Sequence, residues 1–358
     1  MNYKIDTTVK KPAYLQLYEQ IKTDIIKEIY PYGAKLPSKR TVCAELNIST
    51  VTVEHAYALL CDEGYVEAKE RSGYIVIFHS GDAYGALSKE PVILHLNHTS
   101  PVIYEFPISI LLKSMRKVME KKSELLEKSP NEGILELREA IRLYLARNKG
   151  INASYEQIII GSGAEYLYNL IIALLGRDKL YGIESPSYKK IEQVYRSSGV
   201  NICMLPLGKE GIDSLSLSNT NANILHTTPY RSYPTGVTAT ASKRHEYIRW
   251  ASKDCRYIVE DDFESEFSVS SKPEETLFAL SEDDNVIYMN TFSKTVSPAL
   301  RVGYMVLPKH LVADFKMKLG FLSCTVPTFE QLLLTELITS GDFERHINRV
   351  RRKKRKEL

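Results

Sequence analysis

Lys294 stands in the run Thr291-Phe292-Ser293-Lys294, with Arg301 seven residues further on. An amine that condenses with an aldehyde has to be reachable and partly deprotonated, and burial beside another cation favours the neutral form. Lys294 fits that description, although a lysine read alone is a solvated surface charge. A second chemical feature is the turn Gly161-Ser162-Gly163-Ala164, which leads from the apolar run Gln157 to Ile160 into a helix-like segment. Its backbone N–H groups and the positive helix end suit a phosphate; the glycines alone would mark only a tight turn. Asp261 and Asp262 follow the apolar run Tyr257 to Val259. They put a carboxylate at the C-terminal end of a strand, where ligands of open α/β sheets collect.

Such groups need rigid elements behind them. Helix-like segments at 131–149 and 164–175 alternate with strand-like runs near 157–160, 180–184, 222–227, 256–260 and 286–289. That alternation predicts an α/β fold with a mostly parallel sheet clad on both faces. Residues 12–29 read differently: Leu17, Ile21 and Ile25 recur four apart, with Tyr14 and Tyr18 alongside, as on an amphipathic helix opened by Pro12. Ser38 can cap a second short helix ending near Leu46, and Ser49 a third running to Gly64. The segment YVEAKERSGYIVIF reads as strand, polar tip with Gly73, and strand. Three helices and a hairpin predict a winged helix-turn-helix over 1–78. The polar, turn-rich HSGDAYGALSKEP is without periodicity, so a linker is expected at 79–92 and a second domain at 93–358.

At 358 residues the chain exceeds what one core usually serves, in keeping with two domains. No run approaches the roughly 18 apolar residues that cross a bilayer, which excludes a helical membrane protein. The N-terminus MNYKIDTTVKK lacks the apolar core of a secretory signal, and the five cysteines include no C-x-x-C pair, so a cytoplasmic location is expected. The cysteines read as small buried apolar side chains, and no metal site is read. A net charge of +3 does not by itself announce a nucleic-acid binder, and residues 1–78 balance 10 Lys/Arg against 10 Asp/Glu. The basic run from Arg349 through Lys356 reads as a solvated helix face.

Residues 12–78 resemble the DNA-binding domain of the GntR family through PAYLQLYEQI, YGAKLPSKR, LNISTVTVEHAYALLCDEGYV and RSGY, in order and spacing. The resemblance implies a double-stranded DNA operator as partner. The turn Ser49, Thr50, Val51 and Thr52 would face base edges in the major groove, and the hairpin tip with Arg71 and Gly73 the backbone or minor groove. Arg40 falls at the family's usual contact arginine, and Lys39 beside it suits a phosphate. Two departures stand out: the family often has an arginine where this chain has Thr50, and Glu54 adds a negative charge nearby. Val51 packs on a thymine methyl or simply faces solvent.

Residues from about 93 to 358 resemble a fold-type I aminotransferase through PNEGILELREAIRLYL, GSGAEYLYNLI, ESPSY, PYRSYPTG with EDDFESEF, and NTFSKTVSPALRVGY. With the first domain, the chain is identified as a member of the MocR-type subfamily of GntR regulators. That resemblance implies pyridoxal 5′-phosphate held as an aldimine on Lys294. Thr291, Ser293 and Arg301 would take its phosphate, as would the turn at Gly163 and Ala164. It favours Asp261 over Asp262 as partner of the pyridine nitrogen, places Tyr188 on the ring, and puts Tyr233 where ordinary aminotransferases often have asparagine. Phe263 replaces a tyrosine that relatives commonly use on the cofactor's phenolic oxygen. Resembling proteins continue past Leu358, so a C-terminally truncated chain with an incomplete small subdomain is expected. Lys189 or Lys190 would substitute for a carboxylate-binding arginine without its bidentate fork. The expected function is a regulator in which an amino compound or the cofactor alters DNA affinity, with at most a half-reaction of the aminotransferase type. The alternatives are a working aminotransferase with an appended DNA module and a DNA-binding protein with a degraded cofactor domain. A homodimer on paired half-sites is expected.

Overall fold

A computed structural model describes residues 3–6, 9, 11–69, 73–78, 106–120, 124–253, 256–262, 264–268 and 275–357. Internal contacts divide the chain into two units, Met1–His98 and Thr99–Leu358. The linker expected at 79–92 lies outside the described residues, as do Arg71 and Phe263.

In the first unit the four-residue stripe becomes α1 (Ala13–Ile26), which buries Leu17, Tyr18, Ile21 and Ile25. These pack on Val42 of α2 (Lys39–Leu46) and on Val53, Ala56, Tyr57 and Leu60 of α3 (Thr50–Asp62). Both expected caps form: Ser38 Oγ accepts from the Thr41 N–H and Ser49 Oγ from the Thr52 N–H, each at 3.2 Å. Asn47 takes the left-handed conformation (φ 49°), which its short polar side chain tolerates, and so reverses the chain between α2 and α3. Strands β1 (Val66–Lys69) and β2 (Gly73–Val76) pair antiparallel from Val66↔Val76 to Lys69↔Gly73. Removing the Ser49 cap in Ser49→Ala should cost about 1 kcal/mol, read as faster hydrogen exchange of the first-turn amides of α3.

The second unit is built on a seven-stranded sheet. Its strands are β3 (Ile158–Gly161), β4 (Leu180–Ser185), β5 (Asn201–Pro206), β6 (Ile224–Thr227), β7 (Tyr257–Asp261), β8 (Val286–Thr291) and β9 (Gly303–Val306). The order is β3-β9-β8-β7-β6-β4-β5, with β9 antiparallel to both of its neighbours and every other pairing parallel. Helices α4 (Ile108–Met119), α5 (Leu135–Asn148), α6 (Ala164–Leu175), α7 (Lys189–Ser197), α8 (Ser214–Asn219), α9 (Ala241–Ala251), α10 (Leu277–Leu280), α11 (Leu311–Leu319), α12 (Thr328–Thr339) and α13 (Asp342–Glu357) clothe it. The two-residue period of a strand sends neighbours to opposite faces. Ile158, Ile160, Tyr288, Tyr304 and Val306 join one core, while Ile159, Ile287, Met289 and Met305 join another.

The helix expected from 131 starts only at Leu135. Gly133 before it has φ +100°, and a side-chain carbon there would meet Ile160 Cγ1 at 2.4 Å, so the entry is a turn pressed onto β3. Strands β5 and β9 were not expected. The C-terminal basic run does form a helix, but two of its cations turn inward: Arg351 Nε donates to the Glu266 carbonyl at 2.6 Å, and Lys354 Nζ lies 5.3 Å from the Phe267 ring centroid. Among the described residues no helix is long and apolar enough to cross a membrane.

An ionic cluster is buried beneath the end of β7. Lys149, just past α5, places its ammonium 2.8 Å from Asp262 Oδ2 and 3.4 Å from Glu266 Oε1, and also donates to Ser265 Oγ. Tyr288 donates to Asp262 at 2.7 Å and Asn290 to Glu266 at 2.7 Å. Burial pushes the Lys149 amine down, but the two carboxylates outweigh it and hold the group above its ordinary value.

Candidate functional site

Strands β4, β6, β7 and β8 run parallel, so their C-terminal ends share one edge of the sheet. β9 runs the other way and begins there. A cavity of about 150 Å³ opens at this edge, and seven of the expected residues line it: Ala164, Tyr188, Tyr233, Asp261, Thr291, Ser293 and Arg301. Gly163 lies directly behind Arg301, since a side-chain carbon on it would come within 3.1 Å of Arg301 Nη2. Lys294 sits beside the cavity and is not among the residues that line it.

Strand alternation separates the two aspartates. Asp262 is consumed by the buried Lys149 cluster, whereas Asp261, 6% exposed, faces the cavity. Its Oδ2 accepts from the Tyr168 hydroxyl at 2.5 Å and lies 3.5 Å from His226 Nε2. The His226 Nδ1 is in turn 2.9 Å from the Tyr195 hydroxyl. Tyr233 is placed by a buried carboxylate at the end of β4: Glu184 accepts from Thr227 Oγ1 (3.1 Å), the Thr228 N–H (3.0 Å) and Ser232 Oγ (2.7 Å). Burial pushes the Glu184 carboxyl up against the pull of those bonds. The turn so anchored brings the Tyr233 ring edge-on to Tyr188, centroids 6.0 Å apart at 79°.

The cations of the site are each matched to a carboxylate of the chain. Arg301, itself at φ 50°, donates to Glu165 Oε2 at 2.7 Å, and Lys190 donates to Glu165 Oε1 at 2.8 Å. Lys190 first, and then Arg301, hold the Glu165 carboxyl below its ordinary value against the effect of burial. The Lys294 ammonium lies 2.5 Å from Glu264 Oε1, whose other oxygen is 3.3 Å from Arg231 Nε. Burial pushes the Lys294 amine down; Glu264 opposes this and Arg231 assists it. The expectation that Arg301 is the cation acting on Lys294 is therefore corrected: Arg301 is turned to Glu165, and Arg231 takes that place.

In the first unit Arg40 is exposed on α2, while Lys39 donates to Glu54 at 2.9 Å. Thr50 and Val51 are exposed in the first turn of α3, Val51 at 61%. Ser49 and Thr52 engage each other instead, Oγ to Oγ1 at 2.8 Å, so both side chains serve the cap. Gly73 (φ +90°) opens β2 with Lys35 against it, Cε 3.2 Å from where a side-chain carbon would stand. Lys35 is a cation of the hairpin that sequence reasoning passed over.

Residues 13–76 match the family described as bacterial regulatory proteins, gntR family, and residues 104–357 match aminotransferase class I and II. An uncharacterized HTH-type transcriptional regulator of Bacillus subtilis, YdeL, is 32% identical over 99% of this chain and 79% of its own length. The probable rhizopine catabolism regulatory protein MocR of Rhizobium meliloti is 25% identical over 97% of this chain and 76% of its own. The chain belongs to the MocR-type GntR regulators. Among solved structures, the kynurenine aminotransferase of Pyrococcus horikoshii superposes with a TM-score of 0.61 at 27% identity, over 69% of this chain and 64% of that one. This chain thus spans slightly less than two thirds of that enzyme. The larger unit of the MocR-type chain is a fold-type I aminotransferase fold, and the smaller a DNA-binding helix-turn-helix of a transcriptional regulator.

Four residues of this regulator's cleft were not foreseen: Glu165, Tyr168, Ile191 and Thr228. Glu165 follows the phosphate-type turn directly, Tyr168 lies one helical turn beyond Ala164, and Thr228 follows a parallel strand end. Those three positions were available as signals. Of the two lysines weighed after Tyr188, Lys190 lines the cavity.

Proposed function

We propose that this regulator binds pyridoxal 5′-phosphate in the cleft through Lys294, and that the cofactor or an amino compound exchanging at Lys294 changes its affinity for an operator. The observation that carries this reading is a 24% exposed amine with a lowered proton affinity, set beside a cation-lined cavity at the C-terminal edge of a parallel sheet. The residues fit the group. Arg301 lies close against Gly163, where a side chain would intrude on it, and a phosphate is suited to that cation, the start of α6, Thr291 and Ser293. Asp261 would hold the proton of a ring nitrogen, itself steadied by Tyr168 and His226, and Tyr188 and Tyr233 would flank the ring. When bound, the group supplies an aldehyde and an electron-withdrawing ring. The module that carries it is taken as 93–358, joined through 79–92 to the DNA reader at 1–78.

Purified protein mixed with pyridoxal phosphate and reduced with borohydride should carry the cofactor's mass on the peptide containing Lys294. Operator affinity should differ between loaded and unloaded protein. No adduct on that peptide would sink the cofactor reading, and equal affinities the sensing reading. Steady turnover of an amino donor with a keto acid would move the assignment to an enzyme.

Arg40, Thr50, Val51 and Gly73 are the DNA contacts, with Arg71 and Lys35 serving the hairpin and Ser49 and Thr52 shaping the turn. Lys39 is held back by Glu54. Glu54→Gln should therefore tighten operator binding and steepen the fall of log affinity with log salt by about one phosphate's worth, a slope change near 0.9. An unchanged slope would mean that Lys39 stays off the DNA. A homodimer is supported by apolar side chains left on the surface of the larger unit, among them Ile108, Met119, Met317 and Phe321. A sedimentation mass of one chain at micromolar concentration would overturn it.

A further inference from the structure

Glu165 occupies the cleft where a ligand anion is expected, and the two side chains that its carboxylate meets are both cations. Each of its oxygens takes a different cation, Lys190 from the start of α7 at 2.8 Å and Arg301 from the approach to β9 at 2.7 Å. It stands at the second position of α6, where the free N–H groups and helix dipole also favour negative charge. The local count is two cations against one carboxylate, beside a positive helix end. Such a site is satisfied by its own chain and still attractive to a stronger anion.

We propose that Glu165 is an internal stand-in for a ligand phosphate: its carboxylate holds Arg301 and Lys190, and a phosphoryl group binds by displacing it. The inference rests on the reading of this cleft as a phosphate site. A carboxylate and a phosphate cannot share two cations at hydrogen-bonding distance without strong repulsion, so one must leave. Glu165 can leave without unfolding anything. Its side chain is 36% exposed and lies in the first turn of a helix, so a change of rotamer carries it to water. Arg301 at 52% and Lys190 at 52% exposure are free to close on the incoming group.

The consequence is a lowered affinity for every phosphorylated ligand. A cleft whose cations stood unpaired would bind a phosphate at low concentration and remain filled. With Glu165 in competition, occupancy responds over a higher range of ligand concentration, as a sensor requires and a resident enzyme cofactor does not. Selectivity also follows, because a monoanion competes with Glu165 on even terms while a phosphate dianion has the advantage.

Calorimetric titration of the full chain with inorganic phosphate, and separately with pyridoxal phosphate, tests the idea. Inorganic phosphate lacks the aldehyde and so reports the cradle alone. Glu165→Gln keeps the shape and removes the charge; it should bind both probes about tenfold more tightly than the parent. Glu165→Asp, one methylene too short to span both cations, should also bind them more tightly, by less. Arg301→Gln should bind both more weakly. Should Arg301→Gln weaken binding while Glu165→Gln leaves it unchanged or weaker, Glu165 builds the cradle and does not block it; the phosphate reading then survives and the stand-in does not. Should neither probe bind parent or variants up to millimolar concentration, the phosphate reading itself is lost, and this inference with it. Thermal melts of both Glu165 variants within a few degrees of the parent establish that the affinities compare folded proteins.

Discussion

Lys149→Met is expected to destabilise the larger unit by about 3–5 kcal/mol, because it strands the buried Asp262 carboxylate and takes from Glu266 the ammonium the two share. In a unit of this size that corresponds to a fall of roughly 10 °C in melting temperature. The methionine fills most of the space, so the loss is electrostatic and should carry a pH signature. In the parent, burial pushes the Asp262 carboxyl up, but Lys149, Ser265 and Tyr288 outweigh it and leave it below its ordinary value. A carboxyl held low when folded contributes stability that is complete above the unfolded value near 4 and is lost as pH falls through the folded one. Without Lys149 the upward push of burial outweighs the bonds from Ser265 and Tyr288, and the sign reverses: the variant loses stability as pH rises from about 4 toward neutrality. Asp262 in the parent contributes no change between about pH 5 and about pH 8, so denaturant unfolding at those two values should show the variant losing stability relative to the parent as pH rises. Parallel changes would show that Lys149 is not the charge that governs Asp262.

Lys294→Ala is expected to abolish borohydride-stable capture of pyridoxal phosphate, while Glu264→Gln is expected to accelerate it. Burial and Arg231 push the Lys294 amine toward its neutral form, and Glu264 alone among these neighbours holds the proton on. Removing the Glu264 charge therefore raises the neutral fraction near pH 8. One unit of displacement would be worth about tenfold in rate, since each pKa unit is a factor of ten in that fraction. The check is the rate of capture against pH, whose midpoint should move to lower pH in Glu264→Gln. A slower reaction with an unmoved midpoint would mean that Glu264 assists capture by passing a proton.

Much of this architecture can be read from local pattern, because many of its elements obey local rules. The α6 helix occupies the expected 164–175, opened by a glycine with φ +96° and closed by Gly176, and Ser38 and Ser49 cap as their positions require. What local pattern misses is set by partners far away in the chain. β9 is four residues long, GYMV, and becomes a strand because β3 and β8 leave a slot between them. β5 has only Leu205 buried, so its sequence NICMLP lacks the periodicity of a buried strand. The cleft divides in the same way. Asp261, Tyr188, Thr291, Ser293 and Arg301 belong to recognisable runs and were expected there. The pairings of Glu165 with Arg301, 136 positions apart, and of Glu264 with Lys294, 30 apart, are not written in any window of sequence.

The reversed strand has one further effect. Residues 292–302 form a single loop between β8 and β9, clasped by the pairing Thr291↔Gly303, and that loop bears both the amine and the guanidinium. Gly303 keeps the clasp closed, for a side-chain carbon there would press the Asn290 carbonyl at 3.1 Å. On the proposed reading the loop would act as a covalent ruler between the amine offered to an aldehyde and the guanidinium offered to a phosphate. Exchanges elsewhere in the sheet leave its graduations alone. Inserting one residue between Lys294 and Arg301 would rescale it, and the proposed ligand would then no longer span the two groups.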